Sequence, residues 1–472
     1  MIYDICIIGG GPGGYSAAIK GAQLGAKVAL VEKESLGGTC LNHGCIPTKN
    51  LYSASEVLRT LSEADSFGIR AGAVSFDFAE MMQKKNEVVA HLAGGLKKLF
   101  KDYKIDIFNG KGSIESSSKE NSNEATHKIR VDGPTSSNII ESANIIIATG
   151  SEAADIPPLR IDGFRVLGNR EALSLVELPG SMVIVGGGVV GCEFANIFAR
   201  LGVKVSVIEA LDRILPYAER EISRLIRKRF EERGIEVITG NLISNAEVMA
   251  SGVTITLDDG TELSADKALM AIGRRLSSFG LNLEEAGVLM DGAAIRVNEE
   301  METSIKGIYA IGDVVGKMPL AHVAAREGIV AASNIMGKRE GMDYSAIPMA
   351  VYVHPEVASV GRGEEALKAA SIDYRVGRFP YLANGKAVAM REEDGFVKVL
   401  TSSDDDKVLG VHIMGAHASD LIAEAALAMK LGCTTRDISD TVHAHPTLSE
   451  TLLEAWEDTE GMAIHKMGRR II

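Results

Sequence analysis

One pattern occurs twice in this chain, and it dictates much of what the chain can fold into. The run Ile7-Ile8-Gly9-Gly10-Gly11-Pro12-Gly13-Gly14 leads to Leu24-Gly25-Ala26-Lys27-Val28-Ala29-Leu30-Val31-Glu32. The run Ile184-Val185-Gly186-Gly187-Gly188-Val189-Val190-Gly191 leads to Leu201-Gly202-Val203-Lys204-Val205-Ser206-Val207-Ile208-Glu209. Positions 9 and 186, and positions 32 and 209, differ by the same 177 residues. Each copy reads as strand, glycine turn, helix, strand and acid, which is a βαβ unit. In each, the first glycine (Gly9, Gly186) makes the tight turn and the second (Gly11, Gly188) lets the backbone approach a pyrophosphate. The third (Gly14, Gly191) lets the helix pack closely on its strand, with the helix N-terminus facing the anion. Glu32 and Glu209 stand where a carboxylate accepts hydrogen bonds from a ribose.

Two such sites imply two dinucleotides, one of them a flavin. At the second site Glu209 repels a 2′-phosphate, and Ala210-Leu211-Asp212 offer no basic clamp. NAD(H) is therefore expected over NADP(H), with Arg213 the nearest cation. With 472 residues the chain needs three or four domains. The expected boundaries are a first dinucleotide-binding domain over 1–150, completed by 271–346, a second over 151–270, and an interface domain over 347–472. The fold class is α/β, with a C-terminal α+β domain after two Rossmann-like units. A formal charge of −13 argues against nucleic-acid or anionic-membrane partners. No apolar run approaches the ~20 residues that span a bilayer. A cytoplasmic location is expected, since the chain enters a strand directly at Tyr3-Asp4-Ile5-Cys6-Ile7-Ile8.

Smaller features complete the layout. Helical spacing runs from Asp77 to Tyr103 and is expected to be interrupted at Gly94-Gly95. The Ser/Asn-rich run from Ser113 to Asn138 reads as a polar surface hairpin or loop. Ile145-Ile146-Ile147-Ala148-Thr149-Gly150 reads as a buried strand that leaves the domain. After Pro348, β-branched runs alternate with glycine turns, and an Ala-rich helix follows near Asp420 to Leu431. Cys6, Cys192 and Cys433 lie among apolar neighbours and read as small buried hydrophobes.

The remaining cysteines sit together in Gly37-Gly38-Thr39-Cys40-Leu41-Asn42-His43-Gly44-Cys45-Ile46-Pro47-Thr48-Lys49. Residues five apart on a regular helix have Cα atoms roughly 8 Å apart, and a disulfide needs about 7 Å or less. A bridge here requires a distorted turn, which Gly44 and Pro47 permit. By spacing alone three readings stay open: two buried thiols, a zinc half-site with His43, or a catalytic dithiol aided by the charge of Lys49. Near the end, His443-Ala444-His445-Pro446-Thr447-Leu448-Ser449-Glu450 also has two readings. Thr447 to Glu450 fits a capping box, and alternatively His445 is a general base oriented by Glu450.

The stretch from Gly38 to Lys49 resembles the active-site signature of the class I flavoprotein disulfide reductases. Ala148-Thr149-Gly150 and Tyr309-Ala310-Ile311-Gly312-Asp313, which is similar to that family's second flavin motif, extend the likeness over nearly the whole chain. Without it, Asp313 reads equally well as an N-cap. The resemblance implies FAD held by Gly9, Gly11, Gly14, Glu32, Lys49, Gly150 and Asp313, and NAD held by Gly186, Gly188, Gly191, Glu209 and Gly273. It implies a redox-active Cys40–Cys45 disulfide, with Cys40 meeting substrate and Cys45 nearer the flavin. It pairs Lys49 with Glu193, whose plain alternative is a favourable charge on the first turn of a helix. His445 and Glu450 become the acid/base pair, serving the disulfide of the other subunit of a homodimer, and no metal is expected.

Within the family, the segment His443 to Glu450, Gly191, and the run from Glu209 to Pro216 look like the branch that oxidises dihydrolipoamide with NAD⁺. Its substrate rides on a lipoyl domain or H protein, and its partners are 2-oxo acid dehydrogenase complexes or the glycine cleavage system. The alternatives are a related NAD(P)H-dependent disulfide reductase and a non-catalytic flavoprotein assembly subunit. One departure is Gly273-Arg274-Arg275-Leu276-Ser277-Ser278, where the family usually has Pro-Asn after the arginines.

Overall fold

A computed structural model describes residues 2–116 and 126–467. Both glycine repeats do what their pattern predicts. In the first, strand Ile2–Ile8 runs into helix α1 (Pro12–Gln23) and back to strand Val28–Glu32, parallel to the first. The apolar run from Ile5 to Ile8 is buried on both faces, as a strand covered on both sides requires. Strand Asp106–Asn109 extends this sheet beyond Val28–Glu32. On the other side, Ser137–Ile147 pairs with Ile2–Ile8 in parallel, and Ile308–Ala310 pairs in parallel with Ser137–Ile147. The chain thus leaves the first unit, builds the second, and returns to the first.

Between the second and third parallel strands run α2 (Gly38–His43), α3 (Cys45–Ser62) and α4 (Phe78–Asp102). Helix α4 is continuous through Gly94-Gly95, contrary to the expected interruption. Its N-cap Asp77 accepts the Glu80 N–H at 3.0 Å, and Phe78, Met82, Leu96 and Phe100 are buried. Two glycines at about 1 kcal/mol each do not break a helix docked along one apolar stripe. The expected hairpin is present as Lys111–Ser116 and His127–Asp132, although Ile114, Ile129 and Val131 turn one face of it into the core. Residues 117–125 of that run lie outside the described residues.

The second sheet is fully parallel, in the order Glu236–Thr239, Lys204–Glu209, Ser181–Val185, Lys267–Met270, Val166–Leu167. Helices α5 (Asn169–Ala172), α6 (Val189–Arg200) and α7 (Arg220–Glu232) accompany it, with an antiparallel ladder between Ile243 and Ala265. Helix α8 (Ala321–Ile335) then packs on α1, where a Cβ at Gly328 would meet the Gly13 carbonyl oxygen at 2.4 Å.

From Met349 onward a five-stranded antiparallel sheet forms, in the order Met349–Val351, Val357–Gly361, Val408–Met414, Phe396–Ser402, Tyr374–Pro380. Helices α9 (Glu364–Ala369), α10 (Gly385–Met390), α11 (Ala418–Leu431), α12 (Thr435–Ser439) and α13 (Glu450–Asp458) complete it. Trp456 on α13 is fully buried among Phe379, Val397 and Leu452. Trp456→Ala is expected to cost about 3–5 kcal/mol and to lower the thermal midpoint, read by calorimetry.

Candidate active site

The two glycine loops can be tested as cradles by asking what a side chain would strike. A Cβ at Gly14 would lie 1.9 Å from the Gly9 carbonyl oxygen, and one at Gly191 would lie 1.9 Å from that of Gly186. Gly9 and Gly186 have φ of +110° and +108°, and their Cβ atoms would meet the Ala148 and Ala271 carbonyl oxygens. These four glycines are required by the chain itself. Gly11 and Gly188 are different: the first has only Gly38 Cα at 3.9 Å and the second has nothing within 4 Å. Their space is left for something the chain does not supply, at a helix N-terminus suited to an anion. The residues therefore fit two dinucleotides.

The acids close each cradle in the same way. Glu32 accepts the Gly10 and Glu34 N–H groups, each at 2.7 Å. Glu209 accepts the Gly187 N–H at 2.7 Å and the Leu211 N–H at 2.9 Å. Arg213 is drawn away from this acid to Glu365 of α9 at 2.7 Å, so it forms no clamp for a 2′-phosphate. Asp313 is not an N-cap; its carboxylate accepts from Ser151 Oγ and lies 3.4 Å from Arg274. Arg274 also donates to Ser151 Oγ at 2.6 Å, which occupies the departure segment in holding the Asp313 turn. Gly150 and Gly273 take φ of +70° and +128°, with open space beside both.

Cys40 and Cys45 are bonded to one another across the break between α2 and α3, with Cα atoms 4.6 Å apart. The break is at Gly44, whose φ of −147° and ψ of −109° take it out of the helix. The thiol-only and zinc readings therefore fail, since each sulfur is the other's partner. Asn169 donates to the His43 carbonyl at 2.5 Å, tying the loop between the cysteines to the second unit. Burial, with Arg170 nearby, lowers the His43 pKa.

Lys49, on α3 beyond the disulfide, donates to both Glu193 oxygens at 2.9 and 2.8 Å. Glu193 is buried at 4% exposure and also accepts the Tyr352 N–H at 3.1 Å. The Lys49 Nζ lies 4.5 Å from the Tyr352 ring centre, a cation–π contact. Glu193 lies beyond the first turn of α6, so a helix-dipole role is excluded. Tyr352 had no sequence signal, because the contact joins positions 159 residues apart.

The expected capping box does not form, since α13 begins at Glu450 itself with Ser449 as an N-cap that makes no side-chain bond, but Glu450 still reaches back to Thr447 and holds His445. One oxygen accepts the Thr447 N–H at 2.8 Å, and the other faces His445 Nδ1 at 2.8 Å. Burial pushes the Glu450 carboxyl up, but the Thr447 N–H and His445 outweigh it and leave its pKa below the ordinary range. A carboxylate oxygen accepts, so Nδ1 is the donor in this contact, and Nε2 has no partner among the described residues on a side chain 80% exposed. His443 differs: its Nδ1 meets the Thr441 carbonyl at 2.8 Å and its Nε2 meets Glu424 at 3.0 Å. Of the two, His445 is the one with an unbonded nitrogen. Elsewhere, burial holds the Cys6 thiol up at about 12, and Cys192 is raised likewise; Cys433 is half-buried.

Residues 3–328 match the family described as pyridine nucleotide-disulphide oxidoreductase, and 347–456 match its dimerisation domain. A dihydrolipoyl dehydrogenase of Bacillus subtilis is 43% identical over 474 residues, covering 98% of this chain and 99% of the relative. One from Chlamydia muridarum is 42% identical, covering 96% of each. Among solved structures, LpdA from Mycobacterium tuberculosis superposes with a TM-score of 0.90 at 27% identity, covering 96% of this chain and 99% of that one.

The cradle geometry makes a paired prediction. Gly191→Ala is expected to misfold or to lose several degrees of thermal stability, because backbone stands where its Cβ must go. Gly188→Ala is expected to keep the wild-type midpoint and to bind NADH about tenfold more weakly, read by calorimetric titration.

Proposed function

The chain belongs to the pyridine nucleotide-disulphide oxidoreductase family, and we propose that within it the protein oxidises dihydrolipoamide to lipoamide with NAD⁺. The observation that carries this reading is the Cys40–Cys45 disulfide, whose second cysteine opens the helix on which Lys49 pairs with Glu193. The cofactors are FAD and NAD(H). Residues 1–150 with 271–346 are assigned to FAD, 151–270 to NAD, and 347–472 to the interface. Gly9, Gly11, Gly14, Glu32, Gly150 and Asp313 would hold FAD, with Lys49 beside it. Gly186, Gly188, Gly191, Glu209 and Gly273 would hold NAD(H).

The chemistry of the chain's own groups follows from their protonation. His445, with Nδ1 committed to Glu450, takes the proton of the first substrate thiol on Nε2. The substrate thiolate attacks Cys40 Sγ; the Cys40–Cys45 bond breaks and Cys45 leaves as a thiolate. The second substrate thiol attacks the substrate sulfur of the mixed disulfide and expels Cys40, whose sulfur takes up that thiol's proton. Lipoamide departs, and its two electrons remain in the Cys40, Cys45 dithiol. Bound FAD supplies the redox chemistry that re-forms the disulfide and passes the electron pair to NAD⁺. Lys49 stands as the cation available to negative charge developing beside Cys45.

The protein is a homodimer, consistent with its dimerisation domain. The exposed His445 supports a base that works on the disulfide of a second chain. In the same C-terminal unit Leu427, Leu431, Val442, Met462 and Ile464 are exposed large apolar side chains, which supports a partner covering them. Carriage of the substrate on a lipoyl domain or H protein, service to a 2-oxo acid complex, and a cytoplasmic location belong to this reading. Among the described residues no helix is long and apolar enough to cross a membrane.

The deciding experiment compares NADH formation from dihydrolipoamide with NADPH-driven reduction of glutathione disulfide. The first is expected to be far faster; equal or reversed rates overturn the substrate. His445→Gln is expected to lower kcat about 10²- to 10⁴-fold, and Cys40→Ser or Cys45→Ser to abolish turnover while FAD stays bound.

A further inference from the structure

The base that this reading requires sits in a segment with no regular structure between α12 and α13, and its ring is almost wholly exposed. An exposed loop histidine is a poor catalyst unless its backbone is held, since small misplacements of a reacting group cost large factors in rate. After the base, Asn384 donates to the Thr447 carbonyl at 3.0 Å, and the Thr447 N–H is taken by Glu450. Thr447 Oγ also closes back on the Ala444 carbonyl at 2.7 Å. Before the base, the anchor is a second histidine–glutamate pair. His443 has a side chain only 7% exposed, and Glu424 projects to it from the middle of α11, a 14-residue helix packed on the antiparallel sheet.

The two pairs are alike in chemistry and opposite in use. His445 is bonded on one edge and leaves Nε2 open, whereas His443 is bonded on both edges and has no nitrogen left for chemistry. The Thr441 carbonyl fixes the His443 ring to its own turn, and Glu424 fixes that turn to the helix. A single residue, Ala444, then separates this anchor from the catalytic ring. A histidine ring with only 7% of its side chain exposed is costly to leave unpaired beside a carboxylate, so loss of Glu424 or of the ring releases the loop.

We propose that His443 and Glu424 are a positioning pair that fixes the backbone presenting His445, and that they set the rate of substrate oxidation without touching substrate. This inference rests on His445 being the base. Loss of the pair affects the dithiol half of the reaction and leaves the nucleotide half intact.

The test uses the FAD-loaded dimer. In His443→Phe, which keeps a ring but makes neither bond, kcat for dihydrolipoamide oxidation at saturating NAD⁺ is expected to fall about 10- to 100-fold. The KM for NAD⁺ and the rate of NADH oxidation by ferricyanide, which bypasses the disulfide, are expected to stay within about twofold of wild type. Glu424→Gln, which retains an acceptor oxygen, is expected to recover part of the loss, and Glu424→Ala none of it. Should His443→Phe fail to yield a dimer, Glu424→Ala is read by the same criteria. An unchanged kcat in a folded dimer overturns the proposal, as does an equal loss in the ferricyanide reaction. Wild type assayed in parallel separates the two readings: no turnover of dihydrolipoamide by wild type condemns the substrate, whereas an active wild type beside an unimpaired variant condemns the positioning pair.

Discussion

The ion pair between Lys49 and Glu193 joins the parts of this molecule that must act together. Lys49 belongs to the helix that begins at Cys45, and Glu193 to the helix that opens on the second glycine cradle. The carboxylate lies almost out of solvent, where an isolated charge costs several kcal/mol. It is sustained by two bonds from Lys49 and one from the Tyr352 backbone, and Tyr352 comes from the antiparallel unit. Removing one partner strands the other, so the pair ties the three units together next to the disulfide-bearing helix. Desolvation makes the pair weak as a source of net stability and strong as a source of geometry.

Around that junction the chain uses glycine and histidine in two grades each. Gly14 and Gly191 are required because backbone fills the space of a side chain, while Gly11 and Gly188 leave space that the chain does not fill. His443 is saturated by its neighbours, and His445 keeps one nitrogen free. In both cases the residue to which a role is proposed is the one whose surroundings are incomplete within one chain. The open cradles fit cofactors, and the open imidazole fits the proposal of a base that serves a second subunit.

Much of the fold was legible because it depends on local periodicity. The glycine–helix–strand–acid sequence predicts its own hydrogen bonds, and Glu32 and Glu209 accept from the same relative backbone positions. Gly94-Gly95 misled, because helix-breaking propensity is a local quantity and α4 is held by contacts of Phe78, Met82, Leu96 and Phe100 with the rest of the molecule. Glu327 carried a faint signal as a lone acid in an apolar helix. Buried on α8, it accepts the Gly312 N–H at 2.6 Å under the second flavin motif.

The residue order by itself determined the two βαβ units, the acids that close them, and the condition that any bridge between Cys40 and Cys45 needs an interrupted helix. Each of these is a relation among residues near in sequence, set by backbone sterics and helical geometry. Only the tertiary structure decided that Tyr352 joins the Lys49–Glu193 pair, where Arg213 is drawn, that Asp313 answers to Ser151 and Arg274 rather than capping a helix, and that His443 is bonded on both edges. Most of those outcomes depend on groups more than a hundred residues apart, and the last on which of two like side chains a helix can reach. Periodicity carries no information about such meetings; burial and hydrogen-bond partners do.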